Sequence, residues 1–495
     1  MFKTGIIRAS CIVHRASCMR SRAFFLEVVS VNESLGKLFA FFQKNALIFY
    51  AGIGMGIYRC AHEWPLWFNA TVTQVGVAPL FVGDFFFLLV DVGKVVGLSV
   101  YLILCYRFDR YRRSGVLLVL PSALIVAGCM VPLAVVLGLD LGNAAVLSSL
   151  VLIGGGAGML FGQWIEFCGS LPPVKVIQVF AISFAARFVL LPIITGVDEL
   201  LSTIVIICLA GLSFIQVSFC FSKISIVEER PREGFGARGL SGYGMLFLFV
   251  FVFAFAYGVG GSATQLSHST HETGVGNLVP SLVILVLAFK MGDRFDRTIL
   301  YAIALPLMTV GLIGVEFLGI SLSFSQVMVS AAYSTFDLLV YTMVCSNAYR
   351  SRTSAMLPGS CIRIIALVAA DLAIVLMRLN MSWNRGVLVT VTILATLAVG
   401  IAVFAPLLGG RSDYSRFQPE GESSERKRLE GLAESAGLSA RETTVFQLLV
   451  MGKSSTEISE ELFISNGAVR AHSSRIYDKF GVHSRKDFDA LFAGE

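Results

Sequence analysis

Long apolar runs follow one another along most of the chain, separated by short polar stretches. Twelve of them approach the roughly 20 apolar residues that a helix needs to cross about 30 Å of hydrocarbon. They fall at about 38–59, 80–105, 115–138, 144–166, 175–195, 200–222, 242–261, 277–290, 299–318, 325–346, 361–379 and 386–408. The first, which contains Gln43 and Lys44, and the short eighth fit least well. At Gly409 the pattern stops. Residues 409–436 are polar, rich in Ser, Gly and charge, and read as a linker with room for a short helix. Residues 437–495 return to a soluble, amphipathic pattern.

The predicted fold is all-α: a polytopic twelve-helix transmembrane bundle over 38–408, then a C-terminal four-helix domain over 437–495. The bundle divides into halves at 38–222 and 242–408, joined by a central loop, 223–241, read as cytoplasmic. Residues 1–37 read as a basic cytoplasmic segment, with Met1 or Met19 as the start. That segment has no sustained apolar core and no small-residue cleavage site, so a cleaved signal peptide is not expected.

Composition agrees with the pattern. Apolar residues make up 56% and charged residues 15% of the chain, against about 45–50% and 25% in soluble proteins. The mean hydropathy is +0.77. So few charges cannot cover so large a core in water. A soluble globular enzyme, a secreted disulfide scaffold and a disordered regulator are excluded. The net charge of +6 averages unlike regions and decides little. The ten cysteines form no C-x-x-C pair and no Cys/His cluster. Neither a disulfide framework, a metal site nor a cofactor is expected.

Charge orients the bundle. Arginines and lysines crowd alternate loops: four arginines in 106–114, Lys175, then Lys223, Arg230, Arg232 and Arg238, then Lys290, Arg294 and Arg297, then Arg350 and Arg352. The other loops carry Asp140, Asp198, Glu199, His268, His271 and Glu272, with few basic residues such as Arg59. The positive-inside rule places both termini on the cytoplasmic side of the membrane.

Charges within the runs are expensive in lipid and should face the bundle interior. These are Asp84, Asp91, Lys94, Arg187, Asp337, Arg363 and Asp371. Two readings stand. They pair with one another for structure, as Asp91 and Lys94 would at a spacing of three, or they line a ligand or proton site. The glycine pairs Gly52/Gly56 and Gly154/Gly158 suit close helix packing.

RFDR occurs at Arg107–Arg110 and again at Arg294–Arg297, after the second and eighth runs. This offset is expected of two duplicated six-helix halves. The motif resembles the short basic loop between helices two and three of each half in major facilitator transporters. The resemblance implies that Asp109, Arg110, Asp296 and Arg297 pair across helix ends and gate an inner entrance. Ordinary inner-loop positive charge accounts for them equally well.

In the C-terminal domain, Ser439–Glu442 and Ser454–Glu457 are capping boxes that open two helices. Ser465 caps a third and Ser484 opens a fourth. The second and third, joined by a three-residue turn, make a helix-turn-helix. At 100° per residue, Val469, Ser473, Ile476 and Phe480 face inward, and Ala471, Ser474 and Asp478 face outward beside Arg470 and Arg475. A basic face of small residues suits a major groove, because small side chains let the backbone approach while arginines reach bases or phosphates.

The segment runs L-S-x-R-E, G-x-x-x-x-E-I, L-F-I-S, V-R-x-H and I-Y-x-K-F-G-V-H-S-R. It resembles the LuxR-type DNA-binding domain over its whole length. The resemblance implies a four-helix domain that binds double-stranded DNA as a homodimer, works with RNA polymerase and regulates bacterial transcription. Carried over, Arg470, Ala471 and Ser474 face bases, while Ser465, Arg475 and Lys479 meet phosphates. Ala468 stands where many members have Thr. The function expected is a membrane-bound one-component regulator whose bundle senses a small-molecule ligand or a membrane signal. A solute transporter with a regulatory tail is the alternative, and no enzyme is expected.

Overall fold

The computed structural model describes residues 40–63, 82–107, 115–139, 141–223, 240, 243–263, 270–292, 298–319, 321–351, 353–379, 385–408, 428–429, 431–450, 453–455, 458–459 and 466–492. The RFDR-loop residues Asp109, Arg110, Asp296 and Arg297, together with Ser465 and the side chain of Asp84, lie outside the described residues. The chain divides into two compact units. The larger spans 1–236 with 247–409, and the smaller spans 410–495 with 237–246.

Among the described residues the first unit consists of twelve long helices. The first six are α1 (Ala46–Glu63), α2 (Val82–Arg107), α3 (Gly115–Val136), α4 (Gly142–Cys168), α5 (Pro173–Thr195) and α6 (Glu199–Ser222). The second six are α7 (Gly244–Ala263), α8 (Thr270–Met291), α9 (Thr298–Glu316), α10 (Leu322–Ser351), α11 (Met356–Leu379) and α12 (Arg385–Leu408). Helices are the natural outcome, because hydrocarbon offers no partner to an open backbone N–H or C=O. Eight of them, α2–α7, α10 and α11, are long and apolar enough to cross a membrane. The apolar parts of α1, α8, α9 and α12 are shorter. Polar residues extend two elements beyond their apolar runs: α1 continues through Arg59 to Glu63, and α8 begins at Thr270.

Packing repeats with an offset of six helices. α2 and α3 pack on α4, and α8 and α9 pack on α10. α3 meets α6 as α9 meets α12. The halves join where α2 meets α11 and, equivalently, where α8 meets α5. Even the turns echo: Gly138 after α3 (φ 87°) and Gly319 after α9 (φ 60°) both take the left-handed conformation that only glycine adopts freely. Of the eight spanning helices, α10 has the lowest mean hydropathy, 1.4, and is the most buried, with 83% of its apolar window enclosed. Its polar residues therefore face protein rather than lipid.

Backbones touch where glycines allow it. A Cβ at Gly52 would stand 2.6 Å from Ile182, and one at Gly56 would stand 2.6 Å from Ala186, so α1 lies close on α5. At Gly154 and Gly158 of α4 a Cβ would run into the carbonyl oxygens of Val90 and Lys94 on α2. Rigid backbone on both sides leaves such a group no room to move.

The smaller unit has its own core, in which Leu429, Ala433, Val445, Phe446, Leu449, Ile458, Val469, Ile476 and Phe488 are buried together. Its long elements are α13 (Ala440–Val450), α14 (Asn466–Phe480) and α15 (Arg485–Phe492). Phe480 stacks on Phe446 at 5.0 Å, and Phe488 and Phe492 close the aromatic cluster.

Substituting Gly158→Leu is expected to cost at least about 1–3 kcal/mol by overpacking. Gly211→Ala, where nothing lies within 4 Å, should be neutral or slightly stabilising. Thermal unfolding of the purified full-length variants measures both.

Candidate nucleic-acid interface and intramembrane charge cluster

The C-terminal unit clamps α14 to the start of α13 and the start of α15 to its end. At the start of α13, Ser439 Oγ accepts from the Glu442 N–H at 3.4 Å, and Glu442 Oε2 accepts from the Ser439 N–H at 3.0 Å. This is the reciprocal capping box expected from the sequence. The same carboxylate then reaches α14. Lys479 Nζ donates to Glu442 Oε2 at 2.9 Å and to the Gly437 carbonyl at 2.8 Å, and Arg475 lies 3.6 Å from Glu442 Oε1. At the far end of α13, Arg485 donates to the carbonyls of Leu449 and Lys453 at 2.8 and 3.2 Å. Ser484 and Asp487 form a matching cap at the start of α15, with Ser484 Oγ donating to Asp487 at 2.6 Å.

Held this way, α14 buries Val469, Ser473 and Ile476 and exposes the opposite face. Arg470, Ala471, Ser474 and Arg475 are exposed together on that face. Lys479 is exposed at its far end, but its ammonium already serves Glu442. His472 sits half-buried at the edge, and its Nδ1 has no hydrogen-bond partner among the described residues. Among the described residues the face offers one unengaged arginine fork, small side chains and a second arginine five residues on.

The bundle holds a second constellation. Arg59 of α1 is buried, 9% exposed, rather than lying in a loop. Its guanidinium donates to Ser183 Oγ of α5 at 3.0 Å and pairs with Asp337 of α10 at 3.5 Å. It lies 3.9 Å from the Phe184 ring centre, a cation–π contact. Arg187 and Arg363 both lie close enough to repel it. Arg363 of α11 sits over the Phe161 ring at 5.4 Å and interacts with Asp337, Tyr58, Tyr333 and Tyr341. Nearby, Lys94 Nζ stands 2.6 Å from Asp91 on the same helix, and Asp371 of α11 lies beside Asp91. The structure therefore gathers Asp91, Lys94 and Asp371 in one group, and Arg187, Asp337 and Arg363 in another around Arg59.

Two residues that the sequence did not single out complete the seam between halves. Glu166, at the end of α4, is fully buried. It accepts from Ser354 Oγ at 2.6 Å and from the Met356 N–H at 3.1 Å, so it caps the first turn of α11. Gln178 of α5 donates to the Ala288 carbonyl of α8 at 3.4 Å. An acid inside an apolar run was the available signal for Glu166. Arg59 gave none, because it sits where its apolar run ends.

Comparison with known proteins follows the same division. Residues 436–489 match the family profile described as bacterial regulatory proteins, luxR family. Over 47 residues the chain is 51% identical to the Fimbriae Z protein of Escherichia coli (strain K12), which is 10% of this chain and 22% of that protein. Over 48 residues it is 50% identical to the Spore germination protein GerE of Bacillus subtilis (strain 168), which is 10% of this chain and 65% of that protein. The chain thus spans about a fifth of the first relative. The helical bundle resembles the structure of a bacterial homologue of the iron transporter ferroportin in its outward-facing state, with a TM-score of 0.52 at 12% identity, covering 72% of this chain and 97% of that one. The major facilitator superfamily transporter FucP, in an outward conformation, gives 0.49 at 12% identity over 72% of this chain and 96% of that one. Likeness at this identity is likeness of fold. The protein joins a helical membrane bundle, similar in fold to that bacterial transporter homologue, to a LuxR-type helix-turn-helix domain.

Glu442 makes the small unit acid-sensitive. The Ser439 N–H, and then Lys479, hold its carboxyl at about 2, below the ordinary 4.5. A carboxyl whose pKa is depressed by folding contributes fully above about 4.5, and its contribution fades as pH falls toward 2. Urea unfolding of residues 428–495 at a series of pH values should show that loss. Glu442→Gln should lower stability at pH 7 and flatten the loss below pH 4.5.

Proposed function

We propose that this protein is a one-component, membrane-bound transcription regulator of bacteria. The bundle senses a small-molecule ligand or a membrane signal, and the C-terminal domain binds double-stranded DNA as a homodimer and engages RNA polymerase. The bundle lies in the cytoplasmic membrane with both termini inside, where DNA is. The observation that carries this reading is the exposed Arg470–Ala471–Ser474 face of α14, on a LuxR-type domain that shares its chain with a twelve-helix bundle. The division into two compact units supports the bundle as the source of the input.

In this reading Arg470, near the start of α14, meets a base edge. Arg475, with 59% of its side chain exposed, meets a phosphate. Ser465 and Lys479 add phosphate contacts, and Lys479 is bound to Glu442 at 2.9 Å where the more exposed Arg475 stands at 3.6 Å, so Arg475 is the cleaner probe. A working transporter with a regulatory tail remains the second reading, favoured by the fold of the bundle. Solute uptake into vesicles by the protein lacking residues 410–495 would establish it.

Genome-wide mapping of DNA bound by the full-length protein in cells tests the regulator directly, and a discrete set of two-fold-related sites is expected. Half-sites should lie about one helical turn apart. Arg470→Ala should cost about 1–3 kcal/mol and relax preference at one base position. Arg475→Ala should weaken all sequences alike and lower the salt slope by about one. Titrations across sequence variants and salt concentrations separate the two. Equal weakening of every sequence by both variants would remove Arg470 from the reading face.

A reporter fused after Glu495 should be active only if it works in the cytoplasm. A periplasm-dependent reporter active at that position overturns the topology.

A further inference from the structure

Among the described residues, positive charge outweighs negative at the centre of the bundle. Arg59 pairs with one carboxylate, Asp337, at 3.5 Å, and Arg363 lies near the same carboxylate. Arg59 and Asp337 are 9% and 7% exposed and Arg363 is half-buried, so water does little to screen them. The next described acids, Asp91 and Asp371, lie beside each other, and Asp91 pairs with Lys94. Positive charge held in a dry interior demands an anion.

The walls supply the rest. Tyr341 of α10 is 1% exposed, lies in the same group as Asp337, Arg363, Tyr333 and Tyr58, and its hydroxyl has no hydrogen-bond partner among the described residues. A buried donor of this kind is costly unless something accepts from it. Phe180 stacks on the Tyr341 ring at 5.7 Å, and Phe161 packs edge-on at 5.2 Å. Arg59 and Arg363 lie over Phe184 and Phe161. Planar guanidiniums match the two oxygens of a carboxylate or phosphate, and the aromatic walls suit an apolar body.

We propose that Arg59, Arg363 and Tyr341 form a binding site, at the seam between α1, α10 and α11, for a small organic anion with an acidic head and an apolar or aromatic body. The head takes the two guanidiniums and the Tyr341 hydroxyl, and Asp337 sets their spacing and rejects a second anion. The site deepens the sensor reading by naming its ligand class, because an anion held across α1 of one half and α10 and α11 of the other biases how the halves meet.

Benzoate is the probe, with benzylamine and benzyl alcohol as its cationic and neutral counterparts. Binding to the purified full-length protein in a neutral detergent is followed by calorimetry and by the shift in Tm. Benzoate should bind saturably and raise Tm, and the other two should not. Tyr341→Phe should weaken benzoate about tenfold by removing one hydrogen bond to a charged head. Arg363→Lys, which keeps the charge and loses the fork, should do the same or more. Should Arg363→Lys fail to fold, Tyr341→Phe alone decides. Benzoate binding no better than benzyl alcohol, or binding unchanged by the folded variants, overturns the site. Phosphatidylglycerol added in mixed micelles separates two sources of the same chemistry. If it displaces benzoate, the natural anion is a lipid; if it does not, the anion is a soluble acid. Failure of benzoate to bind leaves the DNA map intact, and failure to find DNA sites leaves benzoate binding intact, so the two readings fall separately.

Discussion

Hydrocarbon cannot solvate a charge or an open peptide group, and the bundle is arranged around that constraint. It forces helices along the first unit. It also draws the charges within those helices toward one another, and the polar contacts they make run largely between halves. Arg59 of α1 reaches Asp337 of α10, Asp371 of α11 reaches Asp91 of α2, and Glu166 of α4 caps α11. Inside each half the joints rely on small residues, backbone against backbone and aromatic rings, with a few polar links such as Gln163 of α4 to Tyr101 of α2. Each half is thus a tightly packed block, and the seam between blocks adds the buried Arg59–Asp337 pair.

A seam of this kind suits a protein with two arrangements. Apolar close packing is unforgiving of small displacements, whereas a hydrogen-bonded ion group has alternative partners a few ångströms away. A ligand that changes the charge balance at the seam acts where the structure is most readily biased. The same argument serves a sensor and a transporter, and the attached DNA-binding domain is what favours the sensor.

In the C-terminal unit a single carboxylate plays the organising part. Glu442 caps the start of α13 and, through Lys479 and Arg475, positions α14. Local capping and tertiary docking are therefore one interaction, and the exposed face of α14 owes its orientation to it.

Much of this was legible in the sequence, because it depends on period and composition. Twelve apolar runs, the repeat with an offset of six, the Ser439–Glu442 cap and the inward Val469, Ser473 and Ile476 all follow from local spacing. The pairing of Asp91 with Lys94 followed from a spacing of three. Partners far apart in the chain did not. No pattern tells that Arg59, at the end of an apolar run, turns inward to Asp337, or that Glu166 caps a helix begun at Met356. Nor does any local pattern tell that the Tyr341 hydroxyl is left without an acceptor among its described neighbours. Periodicity says which face of a helix is buried. Which distant helix meets that face, and which charges then share one small space, is decided only when the helices pack.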